Sequence, residues 1–211
     1  MKRRDFSLAA AAAMGAPWVQ AQGAKPQEGR DYQALPKRVP TDAGKGKIEV
    51  IEFFWYSCPH CNAFEPALSE WVKKLPKDVD FKRVPVRFQD SFEPQQRVYY
   101  VLEALNKLST HHSKLFQAIH VERQNLATGE ALAAWAEKNG IDRKSFTDLY
   151  NSFTIIGKAR RGAQLQEAFK VEGVPALGVA GRFYTDGSMA GSMDKALQVV
   201  NFLLGEVRSG R

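Results

Sequence analysis

Ile48-Glu49-Val50-Ile51-Glu52-Phe53-Phe54-Trp55-Tyr56-Ser57-Cys58-Pro59-His60-Cys61 is the stretch on which the reading of this chain turns. Ile48 to Tyr56 is a nearly continuous apolar run, rich in β-branched and aromatic residues. It predicts a strand buried on both faces. Pro59 suits the first position of a helix, where its missing N–H costs no hydrogen bond. Helical spacing then continues through Phe64, Leu68, Trp71, Val72 and Leu75. Cys58 and Cys61 are the only two cysteines among 211 residues. A chain that uses cysteine once, as C-x-x-C between a strand and a helix, keeps a pair of thiols for redox chemistry rather than a disulfide framework.

Outward from this stretch, residues 22–47 are polar and punctuated by Pro and Gly, which predicts an arm with one short edge strand near Tyr32 to Leu35. Val79 to Val86 reads as a second strand. From Phe92 to about Phe169 the pattern is helical, with segments near Gln95–Lys107, Ser113–Val121, Gly129–Asn139, a helix capped by Asp142 through Tyr150, and Thr154–Lys170. Trp135 and Phe146 read as core of this block. Val174–Val179 and Arg182–Thr185 predict a hairpin turning at Ala180-Gly181. Met193–Val207 predicts a closing amphipathic helix. The alternation of strands and helices gives the α/β class.

A chain of this length can bury a sizeable core. Its 44% hydrophobic and 25% charged content is that of a soluble globular protein. The net charge is +7, and beyond residue 21 there remain 27 basic against 22 acidic residues. No basic helix stripe or dense Lys/Arg block accompanies this excess, so it reads as a solvated surface and no nucleic-acid partner is expected.

Met1-Lys2-Arg3-Arg4 is a positive start, Leu8 to Ala16 a short Ala-rich apolar run, and Val19-Gln20-Ala21 offers small or apolar residues at cleavage positions. Together they predict a secretory signal peptide over residues 1–21, removed on export. Gly15 and Pro17 interrupt the run, which is too short to span a bilayer. Arg3-Arg4-Asp5-Phe6 also fits a twin-arginine signal, so the export route stays open.

Phe53-Phe54-x-x-x-Cys58-Pro59-His60-Cys61, with Phe64-Glu65 following and Gly173-Val174-Pro175-Ala176 far downstream, resembles the DsbA family of periplasmic thiol:disulfide oxidoreductases. The Pro-His dipeptide between the cysteines is the family's form of the motif, and the resemblance covers most of residues 30–207. It implies a thioredoxin-like fold with an inserted all-helical domain. The expected division is a signal peptide over 1–21, an arm over 22–47, a thioredoxin-like domain over 48–91 and 171–211, and a helical insertion over 92–170. It further implies a Cys58–Cys61 disulfide donated to unfolded exported polypeptides with free thiols, reoxidation by a DsbB-type membrane oxidase, a monomer in the periplasm, and no organic cofactor or metal.

The thiolate is the reactive form of cysteine. With Pro59 opening the helix, Cys58 falls at its N-cap, where unpaired backbone N–H groups and the helix dipole favour negative charge. His60 in the first turn adds a proton-bearing partner. Stabilising the Cys58 thiolate stabilises the reduced enzyme, which makes the disulfide form a stronger oxidant. Cys58 is therefore assigned as the attacked sulfur and Cys61 as the resolving one. Two other readings of the pair stand beside this one. A zinc half-site would need its remaining ligands from His111 and His112. A structural disulfide would close only a tiny loop and constrain the unfolded chain little. A disulfide reductase or isomerase, or a non-catalytic thioredoxin-like binding module, are the competing functions.

Among supporting residues, the resemblance implies that Val174-Pro175 is cis and lies beside the redox pair. The proline then leaves the Val174 backbone to pair with an extended substrate. Glu52 interrupts an apolar strand, and a buried carboxylate needs a partner. Glu65 lies four residues after Cys61, on the same helix face. By resemblance, Glu52, Glu65 and Lys82 form a charged cluster beneath the thiols that moves protons to and from Cys61. Trp55 and Tyr56 are candidates for a peptide-binding surface or for core. His111, His112 and His120 receive no role.

Overall fold

The computed structural model describes residues 25–210. The signal peptide expected over residues 1–21 lies outside them. Five strands form one mixed sheet: β1 (Gln33–Ala34), β2 (Ile48–Phe54), β3 (Val79–Pro85), β4 (Ala176–Val179) and β5 (Phe183–Asp186), in the order β1-β5-β4-β2-β3. β2 runs parallel to β3 and antiparallel to β4. It is the strand expected at Ile48 to Tyr56, two residues shorter, and six of its seven residues are buried. Covered on both faces, such a strand can be apolar throughout.

Helix α1 (Pro59–Val72) follows β2 directly. Its buried residues, Cys61, Phe64, Glu65 and Leu68, recur at helical spacing, so one stripe faces the sheet. The closing helix α8 (Met193–Arg208) packs beside it, and Phe64 and Leu68 share a core with Val50, Leu177, Val200 and Leu203. Ile51, Phe53, Val84, Phe169 and Tyr184 form the core on the other face. The split follows from the alternation of a strand, since Val50 and Ile51 point to opposite sides.

Between β3 and β4 the chain builds five helices: α2 (Glu93–Ala104), α3 (Leu108–His120), α4 (Gly129–Lys138), α5 (Arg143–Tyr150) and α6 (Phe153–Ala168). This is a thioredoxin-like α/β fold with a helical insertion. Thr128, Asp142 and Ser152 cap α4, α5 and α6 with side-chain oxygens, each satisfying a backbone N–H that the first turn leaves unpaired. The core of the insertion holds Trp135 and Phe146, as expected, and it also reaches under the sheet's end to Phe54, Tyr56, Cys58 and Cys61. The thiols therefore sit where the helical block meets the sheet.

The β4–β5 hairpin turns at Ala180 and Gly181, both with positive φ. A side chain at Gly181 would also place a Cβ 2.0 Å from the Val39 carbonyl oxygen, so glycine is required there twice over. A short helix, α7 (Gly187–Ala190), capped by Asp186, follows β5 and has no counterpart in the sequence expectations. Among the described residues, no helix is long and apolar enough to cross a membrane.

Candidate functional site

Cys58 is the N-cap of α1, in extended backbone, with Pro59 at the first helical position. The Asn62 N–H donates to the Cys58 carbonyl at 3.1 Å and closes the first turn. No side chain accepts from the first-turn N–H groups. Those donors instead face the Cys58 sulfur.

Neither cysteine is in a disulfide. Cys58 is 7% exposed and Cys61 0%, so only the first sulfur reaches the surface. The Cys58 thiol is lowered from 9.0 to about 6. The Cys61 thiol donating to its sulfur is the largest cause. Burial opposes this, and the backbone N–H groups of Cys61 and His60 and the charge of His60 lower it further. Cys61 moves the other way: burial pushes its thiol far above the ordinary range, and the neighbouring Cys58 sulfur and Glu52 add to the shift. One thiol thus ionises readily and its partner holds its proton, the division of labour a dithiol exchange requires.

The Val174-Pro175 bond is cis, and Val174 comes to the redox pair: the Cys58 thiol donates to its carbonyl oxygen at 3.4 Å. A depression of about 280 Å³ opens beside it, lined by His60, Gly173, Val174, Pro175, Asp186, Gly187, Ser188 and Met193. A larger cavity of about 580 Å³, between β3, α2 and α6, includes neither cysteine.

Beneath the thiols lies a buried charged cluster. Glu52 and Glu65 are both buried, and Arg83 joins them: its Nε donates to Glu52 Oε2 at 2.9 Å, and its Nη2 to the two Glu65 oxygens at 3.0 and 3.1 Å. The Ser69 hydroxyl donates to Glu65 Oε1 at 2.6 Å. Burial raises Glu52 to about 8 against the pull of Arg83, with the Glu65 charge adding to the rise. Burial also pushes Glu65 upward, yet His112, Arg83 and Ser69 together bring it below its ordinary value.

The cation of this cluster is Arg83 and not Lys82. In the β2–β3 register Glu52 lies opposite Arg83 and Ile51 opposite Lys82. Successive strand residues point to opposite faces, so Lys82 lies on the far side. There it pairs with the buried carboxylate of Glu49, with Asp42 at 3.8 Å.

Residues 55–57, just before Cys58, are all held by the segment that follows β3. The Trp55 ring stacks on Phe92 with centroids 3.8 Å apart. Tyr56 is fully buried, which makes it core rather than peptide-binding surface. Its hydroxyl meets His112 Nδ1 at 2.8 Å, and His120 Nε2 meets its carbonyl oxygen at 2.8 Å. Gln95 Oε1 accepts from both the N–H and the hydroxyl of Ser57. His112, His120 and Gln95 went unassigned in sequence. The one available signal was that His112 and His120 stand eight residues apart, on a single helix face. His111 contacts neither the thiols nor Tyr56; its Nε2 meets the Asn139 carbonyl.

Comparison with known proteins places this geometry in context. The model of the DSBA-like thioredoxin domain matches residues 77–198. The thiol:disulfide interchange protein DsbA of Burkholderia cepacia is 38% identical over 208 residues, covering 99% of this chain and 98% of that protein. The protein of that name from Bordetella pertussis is 40% identical over 202 residues, covering 95% and 96%. Among solved structures, that of Pseudomonas aeruginosa DsbA superposes with a TM-score of 0.82 at 37% identity, covering 86% of this chain and 94% of that one.

Proposed function

Because this chain belongs to the DSBA-like thioredoxin-domain family, we propose that its thiol:disulfide interchange runs through Cys58 and Cys61 and in the direction of substrate oxidation. The observation that carries this reading is the opposed shift of the two thiols, with Cys58 lowered to about 6 and Cys61 raised.

In the proposed cycle the enzyme begins with a Cys58–Cys61 disulfide. A substrate thiolate attacks the Cys58 sulfur, and the Cys61 sulfur leaves with the electron pair of the broken bond. Because Cys61 is fully buried and its thiolate is unfavourable there, it needs a proton. Glu52, raised to about 8, is the acid positioned to supply one, and Arg83 holds its carboxylate afterwards. A second substrate thiolate then attacks the substrate sulfur of the mixed disulfide. Cys58 leaves as a stabilised thiolate, which makes it the better leaving group. Two substrate thiols become one disulfide, and the enzyme's disulfide becomes two thiols. Pro59 and His60 act through the helix start and the charge beside Cys58.

Val174 and Pro175 border the depression next to Cys58, and the same reading has an extended polypeptide lying along them. The substrates are unfolded exported polypeptides with paired thiols. The reduced enzyme returns to its disulfide through a DsbB-type membrane oxidase. Residues 1–21 act as a cleaved export signal to the periplasm, and the mature protein works as a monomer. The domain limits that fit this cycle are 48–91 with 171–211 for the thioredoxin-like part and 92–170 for the insertion.

The test is disulfide formation in a reduced, unfolded protein. Cys58→Ala is expected to abolish turnover. Undiminished turnover would remove Cys58 from the mechanism.

A further inference from the structure

His112 lies on α3, in the helical insertion, and is buried against the redox end of the sheet. Its ring packs edge-on to Phe54 and Tyr99 and touches Tyr56 and Phe116. The charged and titratable groups facing it are Tyr56 from the turn after β2, Glu65 from α1, Arg83 from β3 and Tyr99 from α2. Its two ring nitrogens meet different partners. Nδ1 lies 2.8 Å from the Tyr56 hydroxyl. Nε2 is sealed from solvent, makes no hydrogen bond, and lies 3.4 Å from Glu65 Oε2.

These contacts fix the tautomer. The Tyr56 side chain is fully buried, and its hydroxyl stays protonated because burial raises it well above its ordinary value. A buried O–H must donate, and Nδ1 is the acceptor in reach. Nδ1 therefore carries no proton, and a neutral imidazole then holds its single proton on Nε2. Burial, the largest cause, and the nearby Arg83 charge favour the neutral ring and outweigh the opposing pull of Glu65.

We propose that His112 is a positioning residue for the redox reaction: the Tyr56 hydroxyl orients it so that its Nε2–H holds Glu65 on the Nη2 side of Arg83, leaving Arg83 Nε for Glu52. This rests on the redox role of Cys58 and Cys61 argued above. Glu65 then takes both Nη2 contacts and shares the Arg83 charge, and Glu52 keeps a single contact with that cation. A buried carboxyl so placed holds its proton, which is the one offered to Cys61. The helical insertion would thereby set the proton affinity of a group on the sheet.

The first measurement is the imidazole nitrogen-15 spectrum of the reduced full chain with labelled histidine. His112 is expected to be neutral, with its proton on Nε2, at pH 7 to 8. A proton on Nδ1, or a charged ring in that range, overturns the proposal. This readout needs neither a substitution nor any turnover, so it holds even if the oxidase reading fails. The second measurement is the pH profile of Cys61-dependent turnover. His112→Gln keeps an amide N–H near the Nε2 position; His112→Asn and His112→Phe do not. Without that N–H, Glu65 is no longer held on the Nη2 side of Arg83, and more of the Arg83 charge falls on Glu52, which lowers it. The limb of the profile near pH 8 is then expected to fall by about one unit in the Asn and Phe variants, and to return in the Gln variant. Folded Asn and Phe variants with an unchanged profile would overturn the proposal. Should these variants fail to fold, the nitrogen-15 result on the unsubstituted chain decides.

Discussion

Arg83 Nε donates to Glu52 Oε2 at 2.9 Å, inside the sheet and directly across the β2–β3 ladder. Glu52 shares this cation with Glu65, and the two carboxyls part ways: Glu52 rises to about 8 and Glu65 falls below its ordinary value. Neighbouring carboxyls pushed apart in this way are a recurring arrangement where a proton must be handed over near neutral pH.

Glu52→Gln removes the proton but preserves the shape. Turnover should fall most above pH 7, where water supplies protons to Cys61 least readily. A stability effect should accompany it. The folded chain holds the Glu52 proton between the unfolded value near 4.5 and about 8, so wild-type stability declines as pH rises through that window. Glu52→Gln should flatten this decline, so the stability difference between variant and wild type should shift in the variant's favour by about 3 kcal/mol from pH 5 to pH 8. Denaturant unfolding at pH 5 and pH 8 checks the sign. Parallel pH dependences for the two proteins would rule out the raised Glu52.

The strand register makes Lys82 and Arg83 separable. Arg83→Met leaves two buried carboxyl groups, one of them ionised, without their cation and should cost about 3–5 kcal/mol. Lys82→Met touches Glu49 and Asp42 on the other face. It should cost less and leave the pH profile of turnover unchanged. A profile shift in Lys82→Met as large as that in Arg83→Met would contradict the assignment.

Cys61→Ser retains the exposed nucleophile and removes the resolving sulfur. Mixed with a disulfide-containing peptide, this variant should accumulate a covalent adduct through Cys58 that survives non-reducing electrophoresis. Cys58→Ser should form almost none, because Cys61 is 0% exposed. Adducts of equal yield in both variants would overturn the order of attack.

Much of this arrangement is legible in the sequence. The apolar run before Cys58, the Pro59 start and the spacing of Phe64 and Leu68 each carry a local cause, and together they place the thiols at a helix N-terminus. The Asp142 cap was legible for the same reason, since capping acts within three residues. The start of α3 was not. It begins at Leu108, five residues before the expected Ser113, and its cap residue, Lys107, makes no side-chain cap. The identity of the cluster's cation was also hidden. Lys82 and Arg83 are adjacent basic residues, and which one faces Glu52 depends on a long-range register, where a one-residue slip exchanges the faces. His112 was passed over because its partners, Tyr56 and Glu65, come from distant segments. Its amphipathic helix alone gives no sign that one histidine meets a carboxylate. Local physics thus gave the elements and the thiols, and the tertiary register supplied the proton cluster.

The fold stabilises the Cys58 thiolate. This stabilisation is tested most directly by following thiolate absorbance in the reduced protein against pH, with Cys58→Ser as control. A second reading comes from the same shift. With Cys58 lowered in the folded state, the reduced form gains stability over the disulfide form as pH rises from about 6 to 9.0. The expected result is a titration near 6 that vanishes in Cys58→Ser, and a stability advantage of the reduced form over the disulfide form that grows from about pH 6 to 9.0. A titration at or above about 8.5, the range of an unperturbed thiol, would remove the driving force for donating a disulfide and contradict the oxidase reading.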